Sequence, residues 1–197
     1  VTNSLGKVTR YSYAAEGQLE KTWGDTVYPV SQTWDDYGRK TSMTTYRNGI
    51  DWSGTTWPVS PGTADVTQWK YEEATGLLTN KLYADGNGTA YSYTPQGQLA
   101  TRSWARGITT TYSYTNTTGE MVGIDYSDST PDITFAYNRI GQQVTVDDAQ
   151  GSRTFAYNQY LALTNETIVA GGTTNVIART QDSYGRPASL SFGNDYQ

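Results

Sequence analysis

Aromatic residues recur along the chain in pairs two positions apart, and each pair runs into a polar turn followed by an apolar residue. Tyr11/Tyr13, Tyr91/Tyr93, Tyr112/Tyr114, Phe135/Tyr137 and Phe155/Tyr157 show the pair. Residues i and i+2 of a strand project from one face, so each pair predicts a strand with two rings on one side. The turn comes next. Asp or Asn, two variable residues and Gly predict a type I turn whose Gly takes the left-handed conformation of a G1 bulge. Asp35–Gly38, Asn138–Gly141 and Asp182–Gly185 carry the whole pattern, Ala14–Gly17 and Thr94–Gly97 keep only the Gly, and the turns ending at Gly76 and Gly119 are one residue longer. A return strand then opens on Leu19, Leu78, Leu99, Met121 or Val144, often with a later aromatic such as Trp23, Tyr46, Tyr83, Trp104 or Tyr126. Each unit reads as one β-hairpin.

The hairpins repeat. With the second aromatic as marker, the series is Tyr13, Trp34, Tyr71, Tyr93, Tyr114, Tyr137 and Tyr157, with Gln181 in the final copy, at spacings of 21, 37, 22, 21, 23, 20 and 24. The period is about 22 residues, and the one long spacing marks an insertion, 48–65, that holds Trp52 and Trp57 among Gly and Pro. Asp85-Gly86-Asn87-Gly88 and Gly171-Gly172 predict primed turns between hairpins. Ser152–Ala170 has no Gly or Pro, so periodicity leaves a helix open there. Eight hairpins give about sixteen strands roughly 4.8 Å apart, a strip that must curl or split as twist accumulates. The expected fold is all-β: tandem antiparallel hairpin repeats over residues 1–197, forming a curved β-sheet spiral or shell segment. Tyr196 stands where another aromatic pair would begin, so the chain is expected to be part of a longer array whose flanking repeats cover its edges.

Seventeen Tyr, six Trp and three Phe stand beside 36% hydrophobic and 17% charged residues, which suits half-buried sheet more than a deep core. The net charge is −5 with basic residues scattered singly apart from the adjacent Arg39-Lys40, so no stripe suited to nucleic acid is present. No apolar run is long enough for a membrane-spanning helix. The chain has no Cys and no His, which removes disulfides, thiolate and imidazole metal ligands, and His- or Cys-based catalysis.

Trp34-Asp35-Asp36-Tyr37-Gly38-Arg39 and Asp182-Ser183-Tyr184-Gly185-Arg186-Pro187 resemble the YD or Rhs repeat, Tyr-Asp-x-x-Gly-Arg-Leu, and the other copies resemble degenerate members. The resemblance extends from about Val8 to Gln197. It implies a sheet spiral wound into a hollow shell. In bacterial toxin complexes and Rhs toxins such a shell encloses a C-terminal toxic domain, and in teneurins it serves adhesion. Family members that cut themselves use an aspartyl-protease core after the repeats, before which this chain ends. The function expected is a non-enzymatic shell or scaffold segment of a secreted or cell-surface protein. It would need no cofactor, and its partners would be flanking repeats and a C-terminal domain of the same polypeptide. The alternative is a carbohydrate- or choline-binding aromatic module with glycans as partners, although Trp is distributed irregularly for that role.

The residues expected to build the repeat are Tyr11, Tyr13, Gly17, Trp34, Asp35, Gly38, Arg39, Tyr91, Tyr93, Gly97, Tyr112, Tyr114, Gly119, Tyr137, Gly141, Asp182, Gly185 and Arg186, with the paired rings acting as cross-strand packing ladders. Trp52 and Trp57, which no other copy repeats, are the candidate ligand-binding rings, since flat aromatics stack on sugars and cage cations. Asp35-Asp36 and Asp147-Asp148 read as turn residues, and Asp125, Asp128 and Asp132 as a solvated loop in preference to a Ca²⁺ site. Ser4-Leu5-Gly6-Lys7 matches the Ser-x-x-Lys spacing of acyl-enzymes, but Gly6 and its terminal position speak for a frayed end. Asn87, Asn116 and Asn165 begin glycosylation sequons and otherwise read as turn residues.

Overall fold

A computed structural model describes residues 1–47 and 50–193; Asn48, Gly49 and Tyr196 lie outside the described residues. The described residues contain sixteen strands and no helix, and the strands form one open antiparallel sheet in chain order. In successive hairpins these are β1 (Thr9–Tyr13) and β2 (Leu19–Gly24), β3 (Val30–Trp34) and β4 (Lys40–Arg47), β5 (Thr63–Tyr71) and β6 (Leu78–Leu82), and β7 (Gly88–Tyr93) and β8 (Leu99–Ser103). There follow β9 (Thr109–Tyr114) and β10 (Met121–Tyr126), β11 (Ile133–Tyr137) and β12 (Gln143–Asp148), β13 (Gly151–Tyr157) and β14 (Leu163–Ala170), and β15 (Thr173–Gln181) and β16 (Pro187–Phe192). Two compact units divide the chain, one made of Val1–Gly97 with Ser103–Gly107, the other of Gln98–Arg102 with the residues from Ile108 onward.

Within each unit the turns set the register. In the second hairpin the Gly38 amide donates to the Asp35 carbonyl at 2.9 Å and the Asp35 amide to that of Arg39 at 2.9 Å, closing a type I turn with Gly38 at φ 74°. Gly97, Gly141 and Gly185 hold the same place at φ 81°, 80° and 77°. Just before the turn the ladder slips by one residue: Thr33 faces Ser42 but Trp34 faces Lys40, and Ala156 faces Asn165 but Tyr157 faces Leu163. This bulge sets the second aromatic opposite the first residue of its return strand. Along β9 the rings Tyr112 and Tyr114 are half-buried while Ser113 is exposed. The sheet thus has a ring-bearing face and a Ser/Thr-rich face, and Trp23 is the one buried large apolar side chain among the described residues.

Several local expectations change. Ser152–Ala170 forms strands β13 and β14 about a turn at Asn158–Ala162, because Phe155 and Tyr157 follow the two-residue period of the ring face. Asp85–Gly88 does not form a two-residue primed turn. The Gly86 amide instead donates to Tyr83 at 3.0 Å and Tyr83 to Asn87 at 2.7 Å, the same three-residue loop as inside the hairpins, with Gly86 at φ 82°. Gly171-Gly172 does form the primed turn, with Ala170 opposite Thr173 and φ of 56° and 78°. Ser4–Lys7 is not frayed, for the Asn3 side chain accepts the amides of Leu5 at 2.9 Å and Lys7 at 3.0 Å, and Gly6 takes φ 72°. The segment is a further Asx-x-x-Gly turn, and Ser4 is one of its tip residues.

One turn lacks its glycine. The Asn158 carboxamide accepts the amides of Tyr160 and Ala162, and Leu161 occupies the left-handed position at φ 65°. Leu161 is 58% exposed, so its side chain gains little from burial to offset that conformation. Leu161→Gly is expected to stabilise the second unit by about 1 kcal/mol, read as a higher urea midpoint at unchanged slope. A lower midpoint would show that the Leu161 side chain holds the turn by contact.

Candidate functional site

The chain brings its recurrent residues together in two rows, each joining one hairpin to the next. The first row lies on the ring face. Trp34 Nε1 donates to the Leu19 carbonyl at 3.0 Å, and the hydroxyls of Tyr93, Tyr114 and Tyr157 donate to those of Leu78, Leu99 and Gln143 at 2.9, 2.9 and 2.8 Å. Tyr71 reaches back across the insertion to Lys40 at 2.9 Å. Every acceptor is the first residue of the preceding return strand. The second aromatic therefore lays its apolar body on the sheet and spends its polar tip on the neighbouring hairpin. Burial, the main cause, raises the hydroxyls of Tyr71, Tyr93 and Tyr114 above the ordinary phenol range, which keeps them protonated donors. Tyr11, Tyr91 and Tyr112 occupy the first ring position; Tyr11 and Tyr13, in the first hairpin, are 43% and 60% exposed, and Tyr137 is half-buried.

The second row follows the turns. Gln98 Nε2 donates to the Gly119 carbonyl at 2.8 Å, and Gln142 Nε2 to that of Leu161 at 2.9 Å. A Cβ on Gly38, Gly76 or Gly141 would lie 3.6 Å from Gln18 Nε2, 3.0 Å from Arg39 Nη1 and 3.3 Å from Glu120 Oε1 respectively. In five copies the residue after the turn glycine, Gln18, Arg39, Gln98, Glu120 or Gln142, thus leans on the next turn. Gly17 and Gly97 leave open space at the same place.

Where Asp and Arg flank the turn, they lock it. Asp35 Oδ1 accepts the amides of Tyr37 at 3.0 Å and Arg39 at 2.9 Å, and Oδ2 accepts Arg39 Nε at 2.7 Å. Asp182 repeats this with Tyr184 and Arg186. The Arg39 guanidinium also lies over Tyr37 and Tyr71, 4.9 and 4.7 Å from the ring centroids. Partial burial raises the Asp35 pKa, but the hydrogen bonds and charge of Arg39 outweigh it; for Asp182 the Arg186 side chain is the main cause of a lowered value. Both groups bind a proton less readily folded than unfolded, so their contribution to stability is full above the ordinary carboxylate value of 3.8 and is lost as pH falls below it. The raised phenols act at the other end, with a contribution that is full below 10.0 and is lost as pH rises through their higher folded values. Urea midpoints should form a plateau between these limits, and Asp35→Asn combined with Asp182→Asn should flatten the acid slope while leaving the alkaline contribution of Tyr93 and Tyr114.

The insertion places Trp52 and Trp57 against the sheet. Trp57 meets Trp23 edge-on at 5.6 Å, Tyr46 at 5.5 Å and Trp52 at 5.0 Å, while Lys21 Nζ stands 5.6 Å from its centroid. Trp23 Nε1 donates to the Gly54 carbonyl at 3.1 Å, tying the loop down. The acidic residues stay apart or in turns. Asp132 accepts the Tyr126 amide, Asp128 that of Thr130 and Asp148 that of Gln150, and no group of three His, Cys, Asp or Glu residues suited to a metal ion occurs among the described residues.

Sequence reasoning paired the rings but did not find their acceptors. The signal is present in the separation of fifteen residues shared by three of the five tethers, Leu19 to Trp34, Leu78 to Tyr93 and Leu99 to Tyr114. Tyr114→Phe is expected to cost about 1 kcal/mol by leaving the Leu99 carbonyl without its donor. Tyr112→Phe, at the first ring position, serves as the reference in the same urea titration, and equal costs would remove the tether.

No family model and no curated protein matches the chain. Among solved structures its fold is similar to that of a TcdB2-TccC3 crystal structure, at 13% identity and a TM-score of 0.51, over 96% of this chain and 14% of that one. A TcdB2-TccC3-Cdc42 crystal structure gives 17% identity and a TM-score of 0.48 over 96% and 13% of the two chains. A Tc holotoxin pore from Photorhabdus luminescens gives 13% and 0.48 over 97% and 14%. At these identities the likeness is one of fold.

Proposed function

We propose that the chain is a non-catalytic wall segment of a YD/Rhs-type shell in a secreted or surface protein, and that the shell encloses or presents a C-terminal domain of the same polypeptide. The observation that carries this reading is the pair of tether rows. Strand pairing, ring-tip hydrogen bonds and turn contacts all act between consecutive hairpins, so the sheet can be lengthened by whole repeats without needing a central core. A wall requires that property, whereas a compact binding domain does not. The likeness in fold to the TcdB2-TccC3 chain supports the same reading.

The reading is tested on the parent polypeptide. Electron microscopy should show a hollow particle, and a domain following the array should resist protease until the shell is opened by denaturant. A following domain that is cleaved as fast in the intact protein as when expressed alone would refute enclosure. The carbohydrate or choline alternative requires open ring faces, but Trp57 is surrounded by Trp23, Tyr46, Trp52 and Lys21. Titration with choline or oligosaccharides is expected to leave tryptophan fluorescence unchanged, and saturable quenching would favour that alternative instead.

A further inference from the structure

The last hairpin lacks both rings. Where β13 carries Phe155 and Tyr157, β15 carries Arg179 and Gln181, and the register confirms the equivalence: Tyr157 faces Leu163 and Gln181 faces Pro187, each just after a one-residue slip. In five other hairpins a ring tip at the second position donates to the first residue of the preceding return strand at 2.8 to 3.0 Å. The carbonyl in that place beside Gln181 belongs to Leu163. Pairing of β14 with β15 starts at Asn165 opposite Ala178, so it stops short of Leu163. Gln181 turns elsewhere, its Oε1 accepting Asn158 Nδ2 at 3.3 Å.

A cavity of about 500 Å³ opens at this place, lined by Leu163, Arg179, Gln181, Pro187 and Leu190. Leu163, Pro187 and Leu190 supply apolar walls. Arg179 spends Nη2 on Glu166 at 3.3 Å, while its Nη1 is buried without a partner. A buried guanidinium nitrogen left unpaired is costly, and a carboxylate is its best complement.

We propose that this slot binds a tyrosine side chain of another polypeptide, with its ring where the missing aromatic would lie, its hydroxyl on the Leu163 carbonyl and a nearby carboxylate on Arg179. The occupied copies define the complement: four of the five rings that fill the equivalent place are tyrosines. The cavity is larger than one ring and leaves room for the peptide backbone. The site goes beyond the wall role and stands or falls independently of it.

The test is titration of the whole protein with N-acetyltyrosine, followed by calorimetry or amide chemical shifts. Saturable binding in the millimolar range is expected. N-acetylphenylalanine should bind about 5-fold more weakly for want of the hydroxyl, and N-acetyltyrosine amide about 10-fold more weakly for want of the carboxylate. Gln181→Tyr should abolish binding by filling the slot from within, Gln181→Ala should keep it, and Arg179→Gln should remove the preference for acid over amide. Absence of saturation in the wild-type protein, or binding unchanged in Gln181→Tyr, would overturn the proposal. If Gln181→Tyr does not fold, equal binding of acid and amide by the wild-type protein would overturn it as well.

Discussion

Gly151→Ala is expected to destabilise the second unit by about 3 kcal/mol, although it adds only one methyl group near a sheet surface. Gly151 opens β13 after a two-residue loop, facing Asp148 across the hairpin, and holds φ 137°, a conformation that L side chains rarely adopt. A Cβ there would overlap the Val169 carbonyl oxygen and crowd the Ala170 backbone. Backbone cannot rotate away as a side-chain tip can, so β13 and β14 must separate or the hairpin must reorganise. The strained dihedral costs about 1–3 kcal/mol and the overpacking about as much again, and partial relaxation brings the sum to the value given. Gly171→Ala is the comparison, since Gly171 also has positive φ but open space around it, and should cost about 1 kcal/mol from the dihedral alone. The difference between the two urea midpoints measures the clash. Equal midpoints would mean that β14 yields freely and that the close approach contributes nothing to register.

The fold was largely legible in the chain because each hairpin encodes itself locally. Two rings on one strand face, an Asx or Gly turn and an apolar return residue are all set within about a dozen positions, and they fix strand number, turn type and face. The features that stayed hidden depend on register between hairpins. The acceptors of the ring tips are backbone carbonyls and carry no residue signature, so only the spacing of fifteen residues that three of the tethers share betrays them. The residue following each turn glycine, Gln18, Arg39, Gln98, Glu120 or Gln142, varies in type because the contact it makes requires only length and polarity. Leu161 escaped because a left-handed leucine is a rare choice, and the Asn3–Lys7 turn escaped because no ring pair precedes it. The slot at Gln181 could be noticed as a missing aromatic, but its unpaired guanidinium nitrogen becomes visible only once β14 and β15 are aligned.

Trp23→Ala is expected to be the most damaging large-to-small change in the first unit, at about 3–5 kcal/mol. Three losses coincide there. Trp23 is 7% exposed, so deleting its ring loses nearly all of its burial and leaves a cavity. Its edge-on contact with Trp57 disappears, and with it one support of the group that Trp57, Trp52 and Tyr46 form. Its Nε1 no longer ties the Gly54 carbonyl, so the insertion loses its hydrogen bond to β2. Trp57→Ala removes the same pair contact from the loop side but leaves Trp23 on the sheet with its hydrogen bond, and should cost about half as much. If the insertion is anchored as a unit, the double variant will cost clearly less than the sum of the two single ones, because both substitutions remove the same Trp23–Trp57 contact. Strict additivity would instead mean that the Trp23–Trp57 contact does not hold the insertion in place.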